Sequence, residues 1–349
     1  MLTRRRFLRV GPAIAATAYL GCRARGALGD ATTDGPVARA EASAEPSLPE
    51  LEVPVVDTHQ HLWDLSKVRL PWLQGSPGLN RSFLPSDYRE AAQGLPIQQA
   101  VYMEVAVVEE DLVREAEYVL DLCRRGEAPT TAAVIGGRPA SPDFAQYVER
   151  FRGDPYIKGI RFIPPGTPDG REMFFSRAFS RGLGLLGECG WSFDICVPPD
   201  WLEETAAIVA RCPDTRFIVD HCGNADPNRF REAEEGVAAA KAYCQKWHAG
   251  MEALAGHRAV VCKISGIISR MRPGEWAAED LAPVVHECVR IFGEDRVMFA
   301  GDWPVCTKGG TLRSWVTALQ SIVASRSLAF RRKLFAENAI RFYGLPSKS

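Results

Sequence analysis

Two histidines, His59 and His61, stand one residue apart at the end of an apolar run, in the stretch VVDTHQHLWD at residues 55–64. Side chains alternate between the two faces of a strand, so both imidazoles point the same way. At a strand end such a pair can hold a metal ion, pass protons, or satisfy ordinary hydrogen bonds. The chain has only six histidines, and the company this pair keeps narrows the choice. Ionisable residues also stand in or at the ends of other apolar runs: Glu104 in QQAVYMEVAV, Arg161 in YIKGIRF, Asp194 in WSFDICV, Asp220 and His221 in TRFIVDH, Lys263 in AVVCKISG, and Asp302 in RVMFAGD. Arg161 carries a planar fork that grips a carboxylate or a pair of hydroxyls, or forms a structural ion pair. Lysine is rarely buried alone, so Lys263 either stabilises an oxyanion or pairs with a neighbouring acid. Asp302 has the chemistry to take a proton from water.

These residues need elements to position them. Adding VPVVDTH and TAAVIGG gives eight short runs rich in β-branched and aromatic residues between residues 53 and 302. Near-continuous apolar runs indicate strands buried on both faces, as in a parallel sheet. Between them, EEDLVREAEYVLDLCRR and LEETAAIVARCP space their apolar residues three or four apart, the pattern of amphipathic helices. Eight strand–helix units predict an α/β fold, a single (β/α)8 TIM barrel over residues 52–345. In such a barrel the C-terminal ends of the strands converge on one mouth. Seven of the eight deliver ionisable groups there, which packing alone does not explain, because burying unpaired charge is costly.

The rest of the chain bounds the setting. The formal net charge is −1, from 42 basic and 43 acidic residues, which offers no basic surface for nucleic acid. Beyond the first 25 residues no apolar run is long enough to span a bilayer. The start, MLTRRRFLRV followed by GPAIAATAYLG, pairs a positive segment with a short apolar one. That predicts an export signal over residues 1–29 of the twin-arginine type, and hence a periplasmic location in a bacterium. Cys22 offers a lipid-anchor site, with Tyr19 and Leu20 where a lipoprotein signal usually has leucine and a small residue. Residues 30–51, rich in Ala, Ser, Thr, Pro and Glu, read as a flexible tether. The other nine cysteines form no C-x-x-C pair; they read as buried free thiols rather than a disulfide framework.

Taken in order, DTHQHLWD, LPWL, FLPSDY, KGIRF, FIVDHCGN, CKISG and RVMFAGDWPVC resemble the amidohydrolase superfamily. Within it they resemble the branch of sugar-lactone and pyrone dicarboxylate lactonases, over residues 55–343. The resemblance implies that Asp302 handles the proton of the attacking water. It implies that His59, His61 and His221 are the strand-one and strand-six histidines, and that Arg161 binds substrate. Trp63, Trp72 and Trp303 would lie near the mouth, where aromatic faces pack against sugar rings. Relatives often carry glutamine on strand two and histidine after the strand-four arginine; here those places hold Glu104 and Phe162, and Glu104 is taken as a substrate-side residue. Zinc members commonly add a histidine at the end of strand five, whereas this chain reads FDICVPP, and the lactonase branch includes members that work without metal. Two cases therefore stand open: one divalent metal, zinc first, on His59, His61 and Asp302, or none.

The activity implied is opening of a small lactone, with a sugar-acid lactone as the partner molecule. Asp302 would serve as base and then acid, and His59, His61, Arg161, Lys263 or a metal would stabilise the oxyanion. His221 would orient the water or bind the carbonyl oxygen. The rivals are another reaction of the same superfamily, such as amide hydrolysis or metal-dependent decarboxylation, and a non-catalytic exported carbohydrate-binding barrel.

Overall fold

All eight apolar runs form strands: β1 (Val55–Gln60), β2 (Ile97–Met103), β3 (Thr130–Gly136), β4 (Ile157–Arg161), β5 (Ser192–Ile195), β6 (Arg216–Val219), β7 (Val260–Ile264) and β8 (Val297–Phe299). The computed structural model describes residues 53–126 and 129–346. Each strand pairs in parallel with the next, in the order β1 to β8. The seam between β8 and β1 is joined where Gln60, the last residue of β1, bridges Trp303, just past β8, in parallel. Asp302 N–H donates to the His59 carbonyl and His61 N–H to the Trp303 carbonyl, both at 2.8 Å. The Thr58 hydroxyl adds a bond to the Phe299 carbonyl at 2.6 Å. The residues that could do chemistry are thus part of the closure of the barrel.

Helices follow the strands because their sequences carry one apolar stripe each. In Leu112–Arg125 the buried residues Leu112, Ala116, Val119, Leu120 and Cys123 recur at helical spacing against the sheet. That helix ends at Gly126, whose φ of 62° lets its N–H reach back to the Leu122 carbonyl. The connection after β4 carries two helices, Pro168–Phe174 and Arg177–Glu188, and the one after β6 carries Pro227–Glu234 and Ala238–Ala255 beyond the short turn His221–Asn224.

The barrel interior is divided into a floor and a mouth. Inward residues Val56, Val101, Met103, Ala132, Val134, Ile218, Val261 and Met298 pack with Ala336, Ala339, Tyr343 and Leu345 from the C-terminal segment. Gln99, near the start of β2, donates to the Pro346 carbonyl, and Arg216, at the start of β6, to the Phe342 carbonyl. The C-terminal segment therefore closes the N-terminal end of the barrel and leaves the opposite end for a site. Among the described residues no helix is long and apolar enough to cross a membrane. The export signal, Cys22 and the tether expected at residues 1–51 lie outside the described residues.

Candidate active site

The site is built outward from Asp57. Its carboxylate is fully buried and accepts three hydrogen bonds: from His59 N–H at 3.0 Å, Gly301 N–H at 2.7 Å and the Tyr88 hydroxyl at 2.7 Å. Burial raises its pKa, and the three donors pull it back. One side chain thus ties β1, the end of β8 and the helix Pro85–Ala91 together directly beneath the histidines. Gly301 fits only because it lacks a side chain; a Cβ there would come within 2.4 Å of the Asp57 carboxylate. The next residue, Asp302, sits in the left-handed region at φ 54°, a conformation that costs a non-glycine residue about 1–2 kcal/mol.

Around Asp302 three imidazoles converge. Its Oδ1 lies 3.4 Å from His61 Nε2, 3.8 Å from His59 Nε2 and 3.8 Å from His221 Nε2. The β1 pair faces one point, with ring centroids 4.8 Å apart. Partner chemistry sets the orientation of each ring. His61 Nδ1 is 2.9 Å from the Met103 carbonyl; a carbonyl only accepts, so Nδ1 donates and a neutral ring has its lone pair on Nε2. Arg161 Nη1 lies 3.1 Å from His59 Nε2; a guanidinium only donates, so this Nε2 also carries a lone pair. Burial holds both His59 and His221 below the usual imidazole range, His59 far below it. His221 Nδ1 meets the Ser265 hydroxyl at 2.9 Å.

His221 reaches this position through unusual backbone. His221, Cys222, Gly223 and Asn224 all have positive φ, from 52° to 65°. This single left-handed turn is held by Trp247 Nε1–H donating to the Cys222 carbonyl at 2.8 Å and the Asn224 amide donating to the Val197 carbonyl at 3.0 Å.

Behind the imidazoles lies a buried chain of ion pairs. Arg161 grips Glu104 twice, Nε to Oε1 at 2.7 Å and Nη2 to the backbone carbonyl at 2.6 Å. Asp220 sits between Arg161 Nη1 at 3.4 Å and Lys263 Nζ at 3.3 Å, with His59 Nδ1 at 3.5 Å. Lys263 also holds Asp194 at 2.5 Å. Burial opposes the charge on Lys263 and on Arg161, and the carboxylates around them more than offset it, so both stay cationic.

Every residue singled out in the sequence has a place in this arrangement. His59, His61, His221 and Asp302 meet at the mouth. Lys263 is paired with acids one layer deeper, and Arg161 and Glu104 are bonded to each other. Trp63 is buried and donates to the Arg81 carbonyl at 2.5 Å, and Trp72 is half-buried and donates to the Val105 carbonyl at 2.8 Å. Trp303 is buried edge-on against Phe83 and Tyr88. Sequence reading gave no role to Asp57, Asp220, Tyr88 or Ser265. For Ser265 a signal existed, since it follows β7 in the same run as Lys263.

A divalent ion fits this donor set. Ligand atoms of His59, His61 and Asp302 lie within 4.8 Å of one another. Donors around a tetrahedral ion with bonds of about 2.0–2.2 Å lie about 3.3–3.6 Å apart, close to the spacings measured here. Two imidazole lone pairs facing a carboxylate repel unless a proton or cation lies between them, and imidazole with carboxylate suits zinc and similar ions. A second group, His59, Asp220 and His221, is also close, but Lys263 already occupies Asp220. At the end of strand five stands Cys196, which belongs to neither group of clustered ligand atoms among the described residues; burial pushes its thiol up to about 12.

Comparison with known proteins agrees with this geometry. A family model described as amidohydrolase matches residues 56–345. An L-fucono-1,5-lactonase of Burkholderia multivorans is 28% identical over 301 residues, covering 83% of this chain and 96% of that protein. A crystal structure of an amidohydrolase from Burkholderia multivorans with bound HEPES superposes with a TM-score of 0.73 at 25% identity, over 84% of this chain and all of that one. A second crystal form of that protein, with bound zinc, gives 0.72 at the same identity and coverage. With strands, closure and strand-end residues all in place across the matched span, the chain belongs to the amidohydrolase family and is a hydrolase of its lactonase-like branch.

Proposed function

We propose that the protein opens a small lactone, of the sugar-acid class, by adding water to the ring ester. The observation that carries this reading is the state of the Asp302 carboxylate. Asp57, Glu104, Asp194 and Asp220 each accept at least one hydrogen bond. Among the described residues no hydrogen bond reaches the Asp302 carboxylate, although three imidazoles surround it. It is the inward acid left free to take a proton. The likeness to a protein named L-fucono-1,5-lactonase supports the choice of a lactone.

In this reading Asp302 accepts a proton from water as the water oxygen bonds to the lactone carbonyl carbon. The ring C–O bond then breaks, and Asp302 returns the proton to the leaving alkoxide. The product is an open hydroxy acid. His221, whose ring packs beside His59 with centroids 4.4 Å apart, orients the water or meets the carbonyl oxygen. A divalent ion held by His59, His61 and Asp302 would polarise the carbonyl and make bound water more acidic. We further infer that the barrel is exported folded; the TRRRFLRV start and the nine free cysteines among the described residues support this.

The test is Asp302→Asn, measured by pH-stat on a panel of aldonolactones. General acid–base groups are typically worth about 10²- to 10⁴-fold in rate. We expect a loss near the upper end in kcat, because one residue serves both steps, with a smaller change in KM and an unchanged circular dichroism spectrum. A loss below about tenfold would move the base to His221. A wild-type protein that opens no aldonolactone would overturn the substrate class.

A further inference from the structure

His59 Nε2 has one lone pair, and two partners have a claim on it. Arg161 Nη1 already donates to it at 3.1 Å. The same atom is one of the donors that face Asp302 Oδ1, together with His61 Nε2. A nitrogen lone pair cannot accept a guanidinium proton and coordinate a cation at once. We propose that the guanidinium of Arg161 competes with a divalent cation for His59 Nε2. The proposal rests on the reading above that His59, His61 and Asp302 form a cation site.

The surroundings make Arg161 a persistent competitor rather than a passing one. It is buried and anchored by two bonds to Glu104, at 2.7 and 2.6 Å, that do not involve His59. Those bonds aim the remaining fork nitrogen, Nη1, at the histidine. On its other side His59 Nδ1 lies 3.5 Å from Asp220 Oδ1, so the ring is held with Nε2 toward the shared point. When a cation takes Nε2, Nη1 keeps one partner among the described residues, Asp220 Oδ2 at 3.4 Å. Arg161 is thus a positioning residue that sets how tightly the site holds an ion.

Removing a cation near a metal site strengthens metal binding by charge alone, so the variant must keep the charge balance. The double substitution Arg161→Met with Glu104→Gln removes one positive and one negative charge together. It also avoids leaving a buried carboxylate unpaired. Arg161→Lys serves as a second variant: it keeps the charge, but a single ammonium cannot bridge Glu104 and His59 as the fork does. The full chain is treated with a chelator, dialysed, and titrated with zinc against a chromophoric competitor. Both variants should bind zinc about tenfold or more tighter than wild type, the scale of one charge-assisted hydrogen bond. In ¹⁵N-histidine spectra of the chelated protein, the His59 Nε2 signal should shift in Arg161→Lys and the His61 signal should not.

Zinc binding by wild type with equal or weaker binding by the folded variants would overturn the competition and leave the cation site standing. Failure of wild type and variants alike to bind zinc would overturn both. Binding by the variants alone would be the strongest support.

Discussion

At the scale of the residue, the site depends on backbone that most side chains avoid. Asp302 and His221 are both left-handed, at φ 54°, and both aim side chains at one point. Gly266 lies against His221: at φ +71° a Cβ there would sit 2.6 Å from the Cβ, Cγ and Nδ1 of that histidine. Gly266→Ala should therefore add backbone strain and push the imidazole off its line to Asp302. Gly274 separates the two effects, since it has φ +76° with no described residue within 4 Å of its would-be Cβ. Gly274→Ala should cost about 1 kcal/mol of stability from strain alone and leave kcat unchanged. Gly266→Ala should cost about 2–4 kcal/mol and lower kcat at least about tenfold. Denaturant melts and steady-state rates on the two variants check this. Equal effects would mean that Gly266 matters only for its φ.

At the scale of the element, charge meets packing where the helix Leu112–Arg125 lies on the sheet. Glu115, buried on that helix, accepts from the Tyr102 hydroxyl at 3.0 Å and Val105 N–H at 2.7 Å, while its Oε2 has no hydrogen-bond partner among the described residues. Burial first, and then the nearby Glu104, push its pKa from 4.5 up to about 8. The folded state therefore binds this proton more tightly than the unfolded chain. Its contribution is fully present below about pH 4.5 and is lost as pH rises to about 8. Glu115→Gln, which cannot ionise, should be more stable than wild type at pH 8–9 and close to it near pH 5. Thermal melts across that range check the convergence; a constant gap would mean that Glu115 does not titrate there. Elements of this kind were legible in the sequence only up to a point. The eight strands were legible because β-branched runs have a local signature. The list of inward residues was legible because strand ends converge. The pairings among them were not, since Arg161 meets Glu104 57 positions away and Lys263 meets Asp194 69 positions away. No local pattern says which strand ends share a layer, so the sequence could not show that Asp302 is the acid left unbonded.

At the scale of the whole molecule, the barrel is a set of thiols sealed by packing. All nine cysteines among the described residues are free, and eight are buried, with Cys189 partly exposed. Burial raises the thiol pKa of Cys123 and Cys196 to about 12 and lifts Cys288 and Cys306 well above the ordinary value. The thiolate is the reactive form, so these residues are doubly protected, by access and by protonation. A chain that unfolds before crossing into an oxidising compartment would lose both protections at once. A chain that crosses folded would keep them, as the proposed twin-arginine export requires. Protein recovered from the periplasm should then show no disulfide. It should react natively with a thiol reagent at no more than about one position, Cys189, and expose all nine barrel thiols in denaturant. Ten thiols in denaturant would mean that Cys22 is retained and unmodified. Replacing Arg4, Arg5 and Arg6 with lysine should hold the precursor in the cytoplasm. Continued export of that variant with scrambled disulfides would assign the signal to the general secretory route and overturn folded export.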